Sequence, residues 1–249
     1  MLAPPDATNC ALNLSMKLSV IIPVYNEAQT ITEVIDRVWA VDLGDIEKEV
    51  IIADDGSTDA TASIIDAHRY IRDGLIQLHH NPINLGKGAA VRLGLSKATG
   101  DILLVQDADL ELDPREYTQL LEPILKGRAD IVYGSRFLKA SGRVPAKTRW
   151  ANRFLTMLTN VLFLARLTDM ETAYKVFRRQ TLEGVRLRCV GFDFEPEVTA
   201  RFLLAGHRIV EVPISYNPRR VDEGKKMRWI DGLDAVYTLL KCRVTGGRY

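Results

Sequence analysis

The apolar residues of this chain fall into short continuous runs that alternate with segments of helical periodicity. The runs that we predict to form strands are residues 18–22, 50–53, 75–78, 101–106, 129–133 and 209–214. Between them, apolar residues recur at helical spacing, as do Ile31, Val34, Ile35 and Val38 after the first strand. This alternation predicts an α/β fold, in which a mostly parallel, Rossmann-like sheet is flanked by helices on both faces.

Beyond residue 137 the pattern changes to a loop followed by longer helices. Residues 150–167 are predicted to form a helix that is apolar over most of its circumference, with Phe154, Leu155, Leu158, Val161, Leu162 and Ala165 on one stripe. Two interpretations are open: an interfacial helix on an anionic membrane, and a core helix with a basic first turn. Further helices are predicted to open at 191–197 and to span 229–240.

Polar clusters follow four of the predicted strands at their carboxyl ends. They are Tyr25-Asn26-Glu27, Asp54-Asp55, Asp107-Ala108-Asp109 and Ser135-Arg136. Ligands of open parallel sheets bind beyond the carboxyl ends of the strands. We therefore expect these clusters to form one shared site.

The cluster after the 101–106 strand has the composition of a metal site. Asp107, Asp109 and Glu111 are spaced two residues apart, so an extended segment directs their side chains to the same side. Carboxylate oxygens suit Mg²⁺ or Mn²⁺, which commonly keeps water and takes phosphate oxygens as further ligands. The alternative is a polar loop after a buried strand, because Asp is common in turns.

Length and composition are those of an ordinary soluble globular protein, with 249 residues, 47% of them hydrophobic and 26% charged. The three cysteines, Cys10, Cys189 and Cys242, are far apart and lack metal-ligand spacing, which indicates a reducing compartment. No segment approaches the roughly 20 apolar residues of a membrane span. We expect residues 1–16 to be a flexible extension without a secretory signal, and 17–249 to be a single catalytic domain.

The formal net charge of +1 conceals a strong asymmetry between the two halves of the chain. Residues 1–130 contain 11 Lys and Arg against 21 Asp and Glu, a net of −10, and residues 131–249 contain 22 against 11, a net of +11. No acidic residue lies between Asp130 and Asp169. An acidic half suited to a metal is thus followed by a basic half suited to anions.

Several motifs resemble those of the inverting family-2 glycosyltransferases, in particular dolichyl-phosphate mannose synthase and its bacterial polyprenyl-phosphate hexosyl relatives. The motifs are VIIPVYNE at 20–27, DDGSTD at 54–59, DAD at 107–109, GSRF at 134–137, DMETAYK at 169–175 and EVPISY at 211–216. They follow the family order across about residues 17–242. The resemblance implies a nucleotide-diphospho-sugar transferase (type A glycosyltransferase) fold.

The resemblance also implies roles for individual residues. The nucleotide would contact Pro23, Tyr25, Glu27, Asp54, Asp55, Lys87 and Asp107, with Asp54 or Asp55 accepting N–H from the base. For Lys87 the alternative is a solvated lysine at a helix start. Asp107, Asp109 and Glu111 match the metal-binding run, although the family often has Gln where this chain has Glu111. Arg136 matches an arginine that helps hold phosphate.

The favoured acceptor is a polyprenyl or dolichyl phosphate, which attacks the anomeric carbon with inversion. A phosphate monoester has its second pKa at about 6, so this acceptor needs little or no general base. It needs cations, and Lys147, Arg149 and Arg153 in the acid-free basic run are the candidates. Asp109 and Arg136 are predicted to act in catalysis.

A saccharide hydroxyl is the alternative acceptor, and it would require a carboxylate base. Glu195, also predicted as catalytic, Glu197 and Glu171 are candidates. Their structural alternatives are helix N-terminal charges for Glu195 and Glu197, and a salt bridge for Glu171. The expected donor is a GDP- or UDP-hexose, and the sequence does not determine which sugar or which base it carries.

We expect a cytoplasmic protein in peripheral contact with the inner face of the membrane or with a membrane partner protein. If the chain were a non-catalytic nucleotide-sugar-binding subunit, we would expect carboxylates of the site to be replaced. The sequence shows no such replacement. Nucleic acid is not an expected partner, because aromatic stacking platforms do not interleave with the Arg and Lys residues.

Overall fold

The computed structural model describes residues 16–138, 144–219 and 229–246, in which strands and helices alternate. The strands are β1 (Lys17–Val24), β2 (Glu47–Asp54), β3 (Gln77–His80), β4 (Ile102–Val105), β5 (Ile131–Ser135), β6 (Lys175–Arg178) and β7 (Ile209–Pro213). The α-helices are α1 (Ile31–Ala40), α2 (Thr61–Ala67), α3 (Arg69–Arg72), α4 (Lys87–Lys97), α5 (Tyr117–Leu125), α6 (Ala146–Phe163), α7 (Phe194–Leu204) and α8 (Trp229–Thr245). Short 3₁₀ turns span Pro114–Glu116 and Arg179–Leu182.

One seven-stranded sheet has the order β3-β2-β1-β4-β6-β5-β7 among the described residues. The pairs β1–β2, β1–β4, β2–β3 and β5–β7 are parallel, while β6 runs antiparallel to both β4 and β5. The predicted mostly parallel sheet is therefore confirmed. Its central strands place their carboxyl ends side by side, with Val24 of β1 opposite Asp54 of β2.

The two faces of the sheet carry separate hydrophobic cores. Val20 and Ile22 of β1 pack on the side of α1 and α5, in one cluster with Val34 and Leu120. Ile21 points to the opposite face, where the cluster includes residues of α4 and α7. Successive side chains of a strand alternate between faces, so a run such as residues 20–22 is apolar throughout because it is buried on both.

Several predicted strands differ from the structure in their bounds, and one strand was not predicted. The strand predicted at 129–133 lies at Ile131–Ser135. The third strand lies at Gln77–His80, two residues later than the predicted 75–78, because Leu75 remains exposed in the turn after α3. β6 was not predicted, since its four residues include Lys175 and Arg178 and lack an apolar run. Pairing on both edges with apolar strands makes this segment a buried strand.

The largely apolar helix predicted at 150–167 is α6, which begins after Pro145 and ends at Phe163. Leu164 adopts a left-handed conformation with φ 54°, which terminates the helix. The predicted stripe is wrong in part, because Phe154 and Val161 are exposed while Leu155 is buried. Only one narrow face of α6 reaches the core that it forms with α7 and α8. α6 is therefore not a simple core helix.

The chain ends are described in part. Residues 1–15 of the expected N-terminal extension lie outside the described residues, and Met16 packs against the first core. The C-terminal helix continues to Thr245, five residues beyond the prediction. Among the helices of the described segments, none combines the length and hydropathy needed to cross a membrane.

The contact between α4 and β1 depends on the absence of a side chain at Gly94. A Cβ at this position would meet the Cγ2 methyl of Ile21 closer than atoms pack. We expect Gly94→Ala to lower the free energy of unfolding by about 1–3 kcal/mol, measured by urea denaturation. Gly232→Ala in α8 is the matched control, since no atom of the described residues lies within 4 Å of its Cβ position. Equal effects of the two substitutions would contradict this account of the packing.

Candidate active site

The loops after β1 and β2 are tied together at the sheet edge. Asn26, which has φ 49°, accepts the backbone N–H of Thr58 at 2.8 Å, and its own N–H donates to Ser57 Oγ at 2.9 Å. Pro23 is buried in β1, opposite Ala53, and Tyr25 is half-buried just beyond the strand. These residues form the first part of the shared site expected from the sequence.

Asp54 and Asp55 are each only 2% exposed, and protein donors already hold both. Asp54 Oδ2 lies 2.9 Å from His80 Nδ1. Asp55 accepts the backbone N–H of Leu85 at 3.1 Å and of Gly86 at 2.6 Å. The two carboxylates thus organise the loops around the expected nucleoside pocket, and their contact with a base stays a prediction.

Close backbone contact places the start of α4 beside the start of α7. Gly86 has φ 104°, and a Cβ there would collide with the carbonyl oxygen of Val190. Gly88 N–H donates to the Gly191 carbonyl at 2.9 Å. These contacts bring Lys87 next to the first turn of α7, an arrangement that no local sequence signal indicates.

Lys87 links the metal motif to α7. Its Nζ lies 2.8 Å from Asp107 Oδ1 and 2.8 Å from Glu195 Oε1. Burial lowers the pKa of Lys87, but the charges of Asp107 and Glu195 outweigh this effect and raise the pKa above its ordinary value. The geometry does not fit a solvated lysine at a helix start.

Arg219 makes the corresponding contact with the second aspartate of the motif. Its Nη2 lies 3.0 Å from Asp109 Oδ2 and 3.0 Å from Glu27 Oε2. Glu111 positions this arginine, since its carboxylate accepts the Arg219 backbone N–H at 2.9 Å and the Tyr216 hydroxyl at 3.1 Å. Sequence reasoning missed Arg219, because the residue is one of many arginines in the basic half of the chain.

The arrangement of the three carboxylates of the motif agrees only in part with the predicted divalent-cation site. Within the described segments, no three Asp, Glu, His or Cys groups converge on one point. Asp107 and Asp109 nevertheless form the donor set that Mg²⁺ commonly uses, in which one or two carboxylates are completed by substrate phosphates. Both oxygens of Glu111 accept hydrogen bonds, from the Tyr216 hydroxyl and the Arg219 backbone N–H, so ligation by Glu111 would use oxygens that protein donors already hold.

Arg136 is fixed by Asp169 in a bidentate ion pair. Nε and Nη2 lie 2.7 Å from the two carboxylate oxygens, and the Arg136 backbone N–H donates to Oδ2 at 3.0 Å. Asp169 is fully buried and receives further support from Glu211, which accepts its backbone N–H at 2.8 Å. The remaining guanidinium N–H groups of Arg136 are the ones that can bind a phosphate.

A half-buried carboxylate, Glu171, interacts electrostatically with this pair. Its Oε1 has no hydrogen-bond partner among the described residues. Burial and the charge of Glu195 raise the pKa of Glu171 to about 7, while burial lowers that of the neighbouring Lys175. Lys175 is fully buried and donates to the Met170 carbonyl at 2.7 Å.

The two carboxylates of the first turn of α7 have different partners. Glu195 is held by Lys87, as described above. Glu197 accepts the backbone N–H groups of Arg188 and Cys189 at 2.8 and 2.6 Å, and pairs with Arg201. The arrangement around Glu197 is structural, and neither carboxylate is a free base.

The three cations expected to bind the acceptor lie on the first turns of α6. Lys147 and Arg153 are exposed. Arg149 is half-buried and donates from Nη2 to the Val144 carbonyl at 3.1 Å. Their role toward an acceptor stays a prediction.

Comparison with known proteins gives this geometry a context. The model of "Glycosyl transferase family 2" matches residues 19–186, from β1 to beyond β6. The chain belongs to glycosyltransferase family 2. The matched segment contains the clusters after β1, β2, β4 and β5, and leaves Glu195 and Arg219 outside it.

Curated relatives of this family-2 glycosyltransferase include enzymes of three organisms. Undecaprenyl-phosphate mannosyltransferase of Micrococcus luteus is 30% identical over 87% of the chain and 90% of its own length. Dolichol-phosphate mannosyltransferase of Pyrococcus furiosus is 30% identical over 91% of the chain. Glycosyltransferase AglD of Haloferax volcanii is 31% identical over 82% of the chain. The chain spans 64% of the Pyrococcus protein and 34% of AglD.

Solved structures confirm the type A fold. Glucosyl-3-phosphoglycerate synthase of Mycobacterium tuberculosis, in complex with Mn²⁺, UDP and phosphoglyceric acid, superimposes with a TM-score of 0.67 at 23% identity. The similarity covers 92% of this chain and 78% of that one. The complex of the same synthase with UDP gives a TM-score of 0.66 at 24% identity, over 92% and 80% of the chains.

Arg219 neutralises Asp109 and Glu27, so its removal leaves two adjacent carboxylates without this counter-charge. We expect Arg219→Gln to bind Mn²⁺ about three- to tenfold more tightly than the wild type in the absence of donor, the ratio that corresponds to about 1 kcal/mol of released ion pairing. Isothermal titration of Mn²⁺ into the nucleotide-free protein measures this directly.

The control for that titration is Arg115→Gln, which removes an arginine that pairs with Asp113 at the surface. Its affinity for Mn²⁺ should equal that of the wild type. Unchanged or weaker binding in Arg219→Gln would show that Arg219 does not compete with the cation.

Proposed function

We propose that this glycosyltransferase moves a hexose, with inversion, from a nucleoside-diphosphate sugar to a polyprenyl or dolichyl phosphate at the cytoplasmic face of a membrane. The observation that carries the proposal is the state of the α7 carboxylates: Glu195 is paired with Lys87, and Glu197 with Arg201. Because these two carboxylates are held by cations, they suit an acceptor that is already ionised and needs no base. The names of the Micrococcus and Pyrococcus relatives support the same acceptor class.

Asp109 and Asp107 are the residues that would hold Mg²⁺ or Mn²⁺. When bound, the cation supplies positive charge opposite the departing nucleoside diphosphate. Lys87 and Arg219 already lie on these carboxylates at 2.8 and 3.0 Å, so further positive charge is positioned where the donor phosphates would lie. The Mn²⁺ and UDP of the mycobacterial synthase complex, a structure of the same fold, support this assignment.

The acceptor phosphate requires cations on the other side of the reacting carbon. Arg136, oriented by Asp169, offers its remaining N–H groups at the end of β5. Lys147, Arg149 and Arg153 on α6 add charge in a stretch that lacks acidic residues. These groups bind and orient an anion and do not remove a proton from it.

A panel of donors and acceptors tests the proposal. Purified protein with Mn²⁺ or Mg²⁺ should transfer from one or more GDP- or UDP-hexoses to polyprenyl phosphate, and Asp109→Ala should lower this transfer at least about a hundredfold while leaving the protein folded. Chromatography of the lipid-linked product is the measurement, and circular dichroism checks the fold.

Asp73→Ala, at an exposed aspartate after α3, is the matched control and should keep wild-type transfer. Full activity of Asp109→Ala would refute the metal assignment. Transfer to free saccharides with none to polyprenyl phosphate would refute the proposed acceptor.

A saccharide hydroxyl is a second candidate acceptor, and Glu171 is the observation that favours it. Among the described residues, one oxygen of this half-buried carboxylate has no hydrogen-bond partner, and its pKa is raised to about 7, as a general base requires. A hydroxyl acceptor would have to lose its proton to such a group, whereas a phosphate acceptor would not.

Glu171→Gln separates the two acceptors. With a lipid phosphate as acceptor, kcat should stay within about threefold of the wild type and its pH profile should be unchanged, because no proton is removed. With a saccharide hydroxyl as acceptor, kcat should fall at least about a hundredfold and the limb of the pH profile near 7 should disappear. Rates between pH 5 and 9 with each acceptor provide the measurement.

A further inference from the structure

Two adjacent carboxylates, Asp54 and Asp55, hold different places at the edge of the sheet. Asp54 is the last residue of β2 and lies between Val24 of β1 and His80 of β3, so the sheet encloses it on both sides. Asp55 is the first residue beyond the strand. Ligands of open parallel sheets bind beyond the strand ends, so Asp55 is the carboxylate placed to meet a nucleobase.

Asp54 holds the loops around the pocket. Its Oδ1 accepts the hydroxyl and the backbone N–H of Ser57, and its Oδ2 lies 2.9 Å from His80 Nδ1. The other ring nitrogen of His80 lies 3.2 Å from Asp66 Oδ1. Burial lowers the pKa of His80, but the bonds to the two carboxylates outweigh this effect and raise the pKa above its ordinary value. His80 is therefore a donor to Asp54, and both oxygens of Asp54 serve the fold.

The acceptor positions of Asp55 are unequally filled. Oδ1 accepts an N–H of the Asn81 carboxamide at 2.9 Å and the backbone N–H of Leu85 at 3.1 Å. Oδ2 accepts the backbone N–H of Gly86 at 2.6 Å. An ionised carboxylate has about four acceptor positions, two on each oxygen. Among the described residues the donors thus fill Oδ1 and leave one position on Oδ2.

Uracil and guanine make different demands on such a carboxylate. Guanine presents two adjacent donors, N1–H and N2–H, which pair as a fork with both oxygens of one carboxylate. Uracil presents a single donor, N3–H, between two carbonyl oxygens, and needs only one acceptor position. Asp55 Oδ2 can supply that position, whereas Oδ1 has none left for the second arm of a fork.

Asn81, which fills one position of Oδ1, is fixed by its backbone as well as by its side chain. Its N–H donates to the Asp54 carbonyl at 2.8 Å. The loop that follows packs directly on the loop after β2, because a Cβ at Gly56 would lie 2.5 Å from the Ile83 carbonyl carbon. The carboxamide is thus held against Asp55 by a constrained loop, and a guanine fork would have to break its hydrogen bond to enter.

We propose that Asn81 restricts the donor to uridine-diphosphate sugars, because its carboxamide fills the acceptor position on Asp55 that the second N–H of guanine would need. The inference deepens the proposed function, on which it rests for the use of a nucleoside-diphosphate sugar. It concerns the base of the donor alone. Binding of the nucleotide is measurable without any acceptor.

Calorimetric titration of UDP and of GDP into the wild-type chain, each with Mn²⁺ and without acceptor, tests the preference. UDP should bind at least about tenfold more tightly than GDP, because one N–H of guanine would remain without an acceptor. This comparison requires no variant and therefore does not depend on the folding of one. Equal affinities, or tighter binding of GDP, would overturn the inference.

Asn81→Ala tests the residue itself. The substitution opens a position on Asp55 Oδ1 while the backbone N–H of residue 81 remains, so the preference for UDP over GDP should fall at least about threefold. Gln180→Ala, which removes an exposed carboxamide outside the site, is the matched control and should keep the wild-type ratio. An unchanged ratio in Asn81→Ala, with an unchanged melting temperature, would show that Asn81 does not select the base.

Transfer assays separate this inference from the proposed function. Tighter binding of GDP together with transfer from a GDP-hexose to polyprenyl phosphate would overturn the inference and leave the function standing. A clear preference for UDP without transfer to polyprenyl phosphate from any UDP-hexose would overturn the function and leave the selection of the base standing.

Discussion

The site depends on the neutralisation of strand-end carboxylates by two cations from distant parts of the chain. Asp107 and Asp109 project from the end of β4, where Lys87 and Arg219 each pair with one of them. Removing one partner from a partly buried ion pair leaves an uncompensated charge, which is strongly unfavourable. The two ion pairs therefore join the ends of β1 and β4 to α4, to α7 and to the segment after β7.

The same charges explain how one site can be stable without ligands and still bind them. A cation that holds a carboxylate in the free protein can turn to a phosphate when a divalent ion takes the carboxylate. Glu111 fits this account better as the residue that positions Arg219 than as a free ligand, since both of its oxygens accept hydrogen bonds there. Its predicted ligation and its observed contacts are thus competing uses of one carboxylate.

Specific ion pairs connect the acidic half of the chain to the basic half. Lys87, from the acidic half, pairs with Glu195 from the basic half. Arg219, from the basic half, pairs with Asp109 and Glu27 from the acidic half. The halves therefore interlock through ion pairs at the sheet edge.

The sequence by itself determined the strands of the parallel sheet and the polar clusters at their ends, because both depend on local runs that neighbouring residues specify. It also indicated Arg136 and the type A fold through motifs of adjacent residues. Only the tertiary structure decided β6, the pairing of Lys87 with Glu195, and the place of Arg219. These contacts join residues about a hundred positions apart, and periodicity carries no information on which distant charges meet. The exposure of Phe154 and Val161 on α6 was likewise decided by packing, which buried the polar Thr156, whose hydroxyl accepts the Met170 N–H.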